Sequence, residues 1–265
     1  MIMCRCDADG AEYISTDQDP RDHGYILGAS VPTESLASAM KNGMSVQDWK
    51  TVACAVTFDE AVRRCATSSQ LAQYFELVAG TACSLAERRL AAKKALDGHD
   101  LFFDWGCARM PDGRYLYHST LAAVVDRSLA AAPLGEVTWA RLGMSWSKLS
   151  GFHEAVRKVY PDRLFAAGYG GTYDFRAGGY SDQDVRDFHR RLAGLGVVWQ
   201  VQPAFAMQGL NHVTRGFSRL WAQEGIGGYV REIQTSAVEA DTDGYENLSW
   251  SGAYLADAYT DILRQ

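Results

Sequence analysis

The chain has 265 residues, of which 47% are hydrophobic and 22% charged, and a formal net charge of −6. That is enough apolar material to bury a real core, so a disordered chain is excluded, and the length allows one barrel-sized domain or two smaller ones. The acidic balance, with no run of Lys or Arg, argues against nucleic acid or an anionic membrane as partner. No apolar run approaches the ~20 residues that span a bilayer, and no secretory signal opens the chain. The end, Leu263-Arg264-Gln265, is not an SKL-type tripeptide, so the expected location is cytoplasmic. Cys4, Cys6, Cys54, Cys65, Cys83 and Cys107 are scattered, without a second Cys or His pair at zinc-ligand spacing, and read as reduced, mostly buried thiols. No HExxH or similar histidine pair occurs, so no metal site is assigned.

In chain order, Met1 to Ile14 reads as a buried strand, an acidic turn and the start of a helix. From Thr16 to Tyr117 the pattern is helical and punctuated by caps. Ser45-Val-Gln-Asp48 and Thr57-Phe-Asp-Glu60 have the capping-box form, and Ser84 opens a helix that Gly98 closes. Asp100 to Tyr117 resembles a strand and hairpin around Pro111-Asp112-Gly113.

From Leu121 onward, helices and strands alternate. A helix ends near Pro133 and a strand follows at Glu136–Ala140; a helix covers Lys148–Tyr160 and a strand Arg163–Ala167. Ser181-Asp-Gln-Asp184 caps a helix with Val185, Phe188, Leu192 and Leu195 on one face; Gly196 ends it, and Gly196–Val201 is a further buried strand. Strands alternating with helices of this length imply βαβ units on a parallel sheet. The cluster Phe165-Ala-Ala-Gly-Tyr-Gly-Gly-Thr-Tyr-Asp-Phe175 then falls at the carboxyl end of a strand, where such folds place ligands. It matches neither GxxxxGK[ST] nor a GxGxxG that opens a helix, so a phosphate cradle is the minor reading.

Several segments together resemble the isocitrate lyase family, specifically the carboxyl-terminal half of its eukaryotic-type members. Met3-Cys-Arg-Cys-Asp-Ala8 resembles the family's ARTDA strand, and Asp17–Gly28 its DPRDHEFILG continuation. The block ending in Phe102-Phe-Asp-Trp105 and Pro111–Tyr115 is similar to an insertion of fungal and plant enzymes. Ala132–Trp139 resembles APYADLIW, the glycine cluster AYNLSPSFNW, Gly196–Gln200 GFVWQ, and Trp250-Ser-Gly-Ala253 WSGA. The resemblance implies an α/β fold: a partial (β/α)8 barrel made of the second-half strands, with a helical insertion. Residues 1–15 and 118–265 would form the half-barrel and residues 16–117 the insertion.

The resemblance also implies Mg²⁺-assisted cleavage of a C–C bond in isocitrate, a cysteine on a KKCGH loop as acid–base, and Ser, Thr and Asn groups that hold the substrate carboxylates. A multiply anionic substrate needs many donors, and a developing enolate needs a dication. This chain departs from that pattern. It begins at the family's fifth strand and has no KKCGH. Arg141 stands for the Glu of WMET, and a fixed cation ~5 Å from Mg²⁺ would cost several kcal/mol at an effective dielectric near 20. Gly168 and Gly170 replace an Asn and a Ser, Thr172 keeps a hydroxyl, Asp174 replaces an Asn, and Pro203 replaces a Thr. Each lost neutral donor to a carboxylate costs roughly 1.5–3 kcal/mol.

The expected substrate-binding positions are therefore Arg5, Asp7, Arg141, Gly170 and Thr172, with Thr172 and Asp174 as the candidates for proton transfer if the chain is active. A buried Arg5–Asp7 pair that orders the rim is the structural alternative, and Trp139, Trp199 and Trp250 read as core. Mg²⁺ is expected only if the ancestral chemistry persists. Four barrel strands would leave two open edges, which need cover. The main expectation is a catalytically impaired scaffold that associates with itself or a related lyase chain. The alternatives are an active C–C lyase on a small carboxylic acid, completed by a partner, or an incomplete product of a longer gene.

Overall fold

The computed structural model describes residues 1–80, 82–143, 145–168, 173–203, 205–235 and 253–264. Strands β1 (Met3–Cys6), β2 (Tyr13–Ile14), β3 (Leu27–Gly28), β4 (Val56–Thr57), β5 (Tyr115–Leu116), β6 (Val137–Ala140), β7 (Leu164–Gly168) and β8 (Val197–Val201) are interleaved with helices. Four of them form a parallel sheet in the order β1-β6-β7-β8, and the other four form two short antiparallel pairs, β2 with β5 and β3 with β4.

The helical block contains α1 (Leu36–Lys41), α2 (Val46–Val52), α3 (Phe58–Cys65), α4 (Ser68–Val78) and α5 (Leu85–Ala95). Their starts follow from the sequence. Thr57 with Glu60, Thr67 with Gln70 and Ser84 with Glu87 close reciprocal capping boxes, while Ser45 caps α2 by accepting from the Asp48 amide. After α5 the chain turns through left-handed Asp97 (φ 54°) and Gly98 (φ 91°), as a helix C-terminus favours. The block buries two cores of its own, one around Phe58, Val62, Tyr74 and Phe103 and one around Leu36, Trp49 and Leu116.

The sheet is wound by α6 (Leu121–Ala131), α7 (Trp146–Val159) and α8 (Asp182–Gly194), each lying between consecutive parallel strands. Cys4, Thr138, Phe165 and Val197 fall in register across the four strands, and Thr138, Phe165 and Val197 are buried. Phe152 and His153 of α7 meet Phe165 edge-on from that side, with ring centroids 6.1 and 4.6 Å away. In register on the opposite face are Arg5, Trp139, Ala166 and Trp199, and Trp199 is 52% exposed. A register shift at Phe165/Ala166 leaves Val198 exposed as well.

Four expectations need correction. Tyr13-Ile14 is not a helix start but a strand paired with Leu116-Tyr115, because Ile14 packs into the core that Tyr115 and Tyr117 complete and Tyr13 packs on the opposite side against the core around Trp49 and Leu116. β1 is a half-buried sheet edge rather than a buried strand. β8 is buried only at its first residue. Of the cysteines only Cys83 is buried; Cys54 and Cys65 are exposed, and no disulfide joins the six.

The described residues divide into two compact units. One is Met1–Gly168 with Tyr173–Val201; the segment after Val201 builds the other. In the second unit a π-helical turn at Phe205–Gly209 leads into α9 (Leu210–Glu224). Gly225 (φ 56°) breaks the chain into α10 (Ile226–Tyr229), and α11 (Ala253–Leu263) follows later. α10 approaches α9 so closely that a Cβ at Gly228 would sit 2.7 Å from Leu220. Among the described residues no helix is long and apolar enough to cross a membrane.

Candidate functional site

The carboxyl ends of β1, β6 and β7 bring a charged cluster together. Beyond β1, the Asp9 carboxylate takes an ion pair from Lys148 of α7 (2.5 Å) and accepts the Gly143 amide (2.9 Å). Side-chain exposure is 13% at Asp9 and 36% at Lys148, so this pair lies largely within the rim. The turn after β1 is fixed from its other side by Ser119, whose hydroxyl donates to the Ala8 carbonyl and accepts the Gly10 amide.

Arg5 donates to Asp7 at 2.8 Å, and its guanidinium lies 4.2 Å from the centre of the Trp139 ring. Both charged side chains are nearly half exposed, at 46% and 48%, so the expected buried pair is instead a solvent-facing one. The reason is their place at the edge strand β1, Arg5 lying on the sheet face opposite the one that α7 covers. The Trp139 ring is half-buried there rather than in a closed core, and Trp199 is exposed.

Arg141 follows β6 directly. Its amide donates to the Cys6 carbonyl at 3.0 Å, which pins it beside the end of β1, and its side chain is exposed. Tyr173, half-buried, donates to the Leu142 carbonyl at 2.5 Å. Burial raises the Tyr173 phenol above its ordinary value, with nearby Tyr180 and Asp9 adding and Arg141 opposing, so it stays protonated at neutral pH.

Asp174 is exposed, and its Oδ1 accepts the amides of Arg176 and Ala177, both at 3.0 Å. That carboxylate shapes a turn, the usual work of an Asp at such a position. Gly170 and Thr172 lie outside the described residues, as do Trp250 and most of the WSGA-like segment. Gly168 is described: a Cβ there would lie 2.5 Å from Cζ2 of Trp139, so the ring occupies the space that a side chain at 168 would need.

Arg5, Asp7 and Arg141 are thus gathered at one rim, together with three groups that sequence reasoning missed: Asp9, Lys148 and Tyr173. Asp9 and Lys148 are 139 residues apart, and only the parallel pairing of β1 with β6 puts them in reach. The signal available was weak: acidic residues after one strand and a Lys in the first turn of the helix after its neighbour.

The rim residues of this chain do not fit Mg²⁺. A dication needs several oxygen ligands that are not already neutralised. Here Asp7 is held by Arg5 and Asp9 by Lys148, and Arg141 adds a further cation. Among the described residues no three His, Cys, Asp or Glu side chains converge as a metal site.

Comparison with known proteins gives the context. The sequence model of the isocitrate lyase family matches residues 1–264. Mitochondrial 2-methylisocitrate lyase of Schizosaccharomyces pombe is 44% identical over 97% of this chain and 51% of that protein. Isocitrate lyase of Oryza sativa subsp. japonica is 30% identical over 97% of the chain and 49% of that protein. Isocitrate lyase of Saccharomyces cerevisiae is 28% identical over 100% of the chain and 51% of that protein. The chain spans about half the length of each of these relatives. They leave without support the non-catalytic scaffold expected from the altered rim. The fission yeast protein's mitochondrial name also gives no support to a cytoplasmic location. The match along nearly the whole sequence shows that the chain belongs to the isocitrate lyase family.

Proposed function

We propose that the chain is the carboxyl-side half of a carbon–carbon lyase that acts on a small, multiply charged carboxylic acid. The other half of the family fold completes it. In this reading residues 1–15 and 118–265 form a partial (β/α)8 barrel, and residues 16–117 are an insertion with cores of its own. The observation that carries the reading is the 44% identity, over 97% of the chain, to half of a protein named for 2-methylisocitrate cleavage. The exposure of Trp199, in register on the face opposite the helices, is consistent with it, because parallel sheets are normally covered on both faces.

Within that assembly Arg141 is the carboxylate anchor. It is exposed at the strand ends and has no ion-pair partner among the described residues. Arg5 retains N–H groups beyond the Nε that serves Asp7, and it stands in register with the β6 residue two positions before Arg141. The Lys148–Asp9 pair fixes the loops that follow β1 and β6, beside these cations. Thr172 supplies a hydroxyl donor to the substrate. Closing the other half over the rim would exclude water and strengthen each of these contacts.

The test is to purify the chain with and without the unmatched half of the fission yeast relative, and to follow release of a 2-oxo acid from isocitrate and from 2-methylisocitrate. Cleavage of at least one acid by the completed assembly, and none by the chain alone, is the expected result. An assembly of verified mass that cleaves neither acid overturns the proposal.

A further inference from the structure

Arg141 stands on a turn that is held at each of its successive residues. The Arg141 amide donates to the Cys6 carbonyl at the end of β1 (3.0 Å), and the Gly143 amide donates to Asp9 (2.9 Å). Between them the Leu142 carbonyl accepts the Tyr173 phenol at 2.5 Å, and Leu142 itself is 3% exposed. The braces come from β1, from the loop after it and from the loop after β7, so a fixed backbone carries an exposed guanidinium. A donor held in this way loses little freedom when a ligand arrives. The motif AYNLSPSFNW has Phe where Tyr173 stands, and a Phe has no hydroxyl to make the central brace.

The charges of the same rim point to what that guanidinium does. Arg5 is paired with Asp7 and Lys148 with Asp9, so Arg141 carries positive charge that no carboxylate balances among the described residues. Such a rim repels a dication and attracts a carboxylate. A guanidinium offers its charge there as paired N–H donors, the form that suits a carboxylate. It also supplies the fixed positive charge that a metal would otherwise bring to a developing anion. Arg5, in register with Trp139 two positions before Arg141, offers a second set of donors.

We propose that Arg141, braced by Tyr173 and Asp9, takes the place of a metal ion at this rim, so that this half of the protein holds a carboxylate of a dicarboxylate substrate without a metal. The inference rests on the lyase reading above and adds the means by which the acid is gripped. Arg141 touches the substrate, and Tyr173 acts through Arg141 as a positioning residue. Burial keeps the Tyr173 phenol protonated, so the central brace persists at neutral pH.

The experiment titrates the full chain with succinate, in EDTA and again in excess MgCl2, and follows the amide NMR signals of Arg141, Leu142 and Gly143. Shifts that saturate with the same dissociation constant in both buffers are expected, and salt should weaken them equally. Arg141→Ala should weaken succinate about tenfold or more, the range for a charged hydrogen bond, and Arg141→Lys should recover part of the loss. Tyr173→Phe leaves every charge in place and should weaken it about two- to tenfold. That loss should vanish in the Arg141→Ala background, a coupling that a general loosening of the fold would not produce.

Succinate that binds about tenfold or more tighter in MgCl2 than in EDTA overturns the proposal, because a metal then supplies the anchor. An affinity indifferent to Arg141→Ala overturns it as well, and so does a rim that succinate does not shift. Equal losses from Tyr173→Phe in both backgrounds overturn the brace. The lyase reading survives each of these results, since cleavage by the completed assembly tests it separately. An assembly that cleaves neither acid, beside a chain that binds succinate as expected, overturns the lyase reading alone.

Discussion

Trp139 and Gly168 are locked to each other: the indole fills the position that any Cβ at residue 168 would take, 2.5 Å from Cζ2. They sit on adjacent strands, β6 and β7, on the face opposite the helices. The ring also carries the Arg5 guanidinium, so one aromatic side chain sets both the floor and one cation of the rim.

The first prediction follows from that contact. Gly168→Ala should destabilise the chain by about 1–3 kcal/mol, because the ring must leave its place. In urea titrations the loss should shrink strongly in the Trp139→Leu background, since residues in contact do not act additively. Equal losses in both backgrounds would show that the ring is not what excludes the side chain.

Arg141 gives the second. In the completed assembly, Arg141→Ala should raise KM for the cleaved acid by about 10- to 150-fold, the worth of a charged hydrogen bond, with a smaller change in kcat. Arg141→Lys should recover part of the loss, as a point charge without the planar fork. A KM that does not move in Arg141→Ala removes the anchor from the proposed function.

Acid sensitivity gives the third. His153 is 3% exposed between Phe152 and Phe165, and one ring nitrogen, Nδ1, lies 2.7 Å from the Leu149 carbonyl, to which it donates. Burial, and secondarily the charge of Arg157, lower its pKa below the ordinary value near 6.5. The unfolded chain therefore binds this proton more readily than the folded one. Stability is fully present above about pH 6.5 and falls as pH drops below it, by up to about 1.4 kcal/mol per pH unit for one proton. Denaturant titrations at pH 7.5 and 5.5 should show this slope, and His153→Leu should flatten it.

The fourth concerns the helical block. Arg88 engages Asp59 through Nη1 at 2.6 and 2.8 Å, and Tyr74, fully buried, donates to the same carboxylate at 2.5 Å. The side chains of the pair are 13% and 25% exposed. Arg88→Ala leaves a largely buried carboxylate without its cation and should cost roughly 3 kcal/mol or more. Tyr74→Phe should cost less, because it removes a donor and strands no charge. The reverse order of losses in thermal or urea unfolding would contradict the network as described.

The helix starts were legible because a cap is written within four residues. Thr57 with Glu60, Ser84 with Glu87 and Ser181 with Asp184 all close in space as their spacing indicates. The alternation of strand and helix after Leu121 was equally readable, since periods of 2 and 3.6 residues differ in any window of this length. The family, too, was carried by local stretches of rare residues. Tertiary pairing alone decided the rest. It turned Tyr13-Ile14 into a strand by setting Tyr115-Leu116 beside it, left Trp199 facing outward, and brought Asp9 to Lys148. A sequence fixes which neighbours along the chain can bond. Which distant side chains meet, and which face of a sheet stays uncovered, depends on strand order and register, for which no short window carries the information.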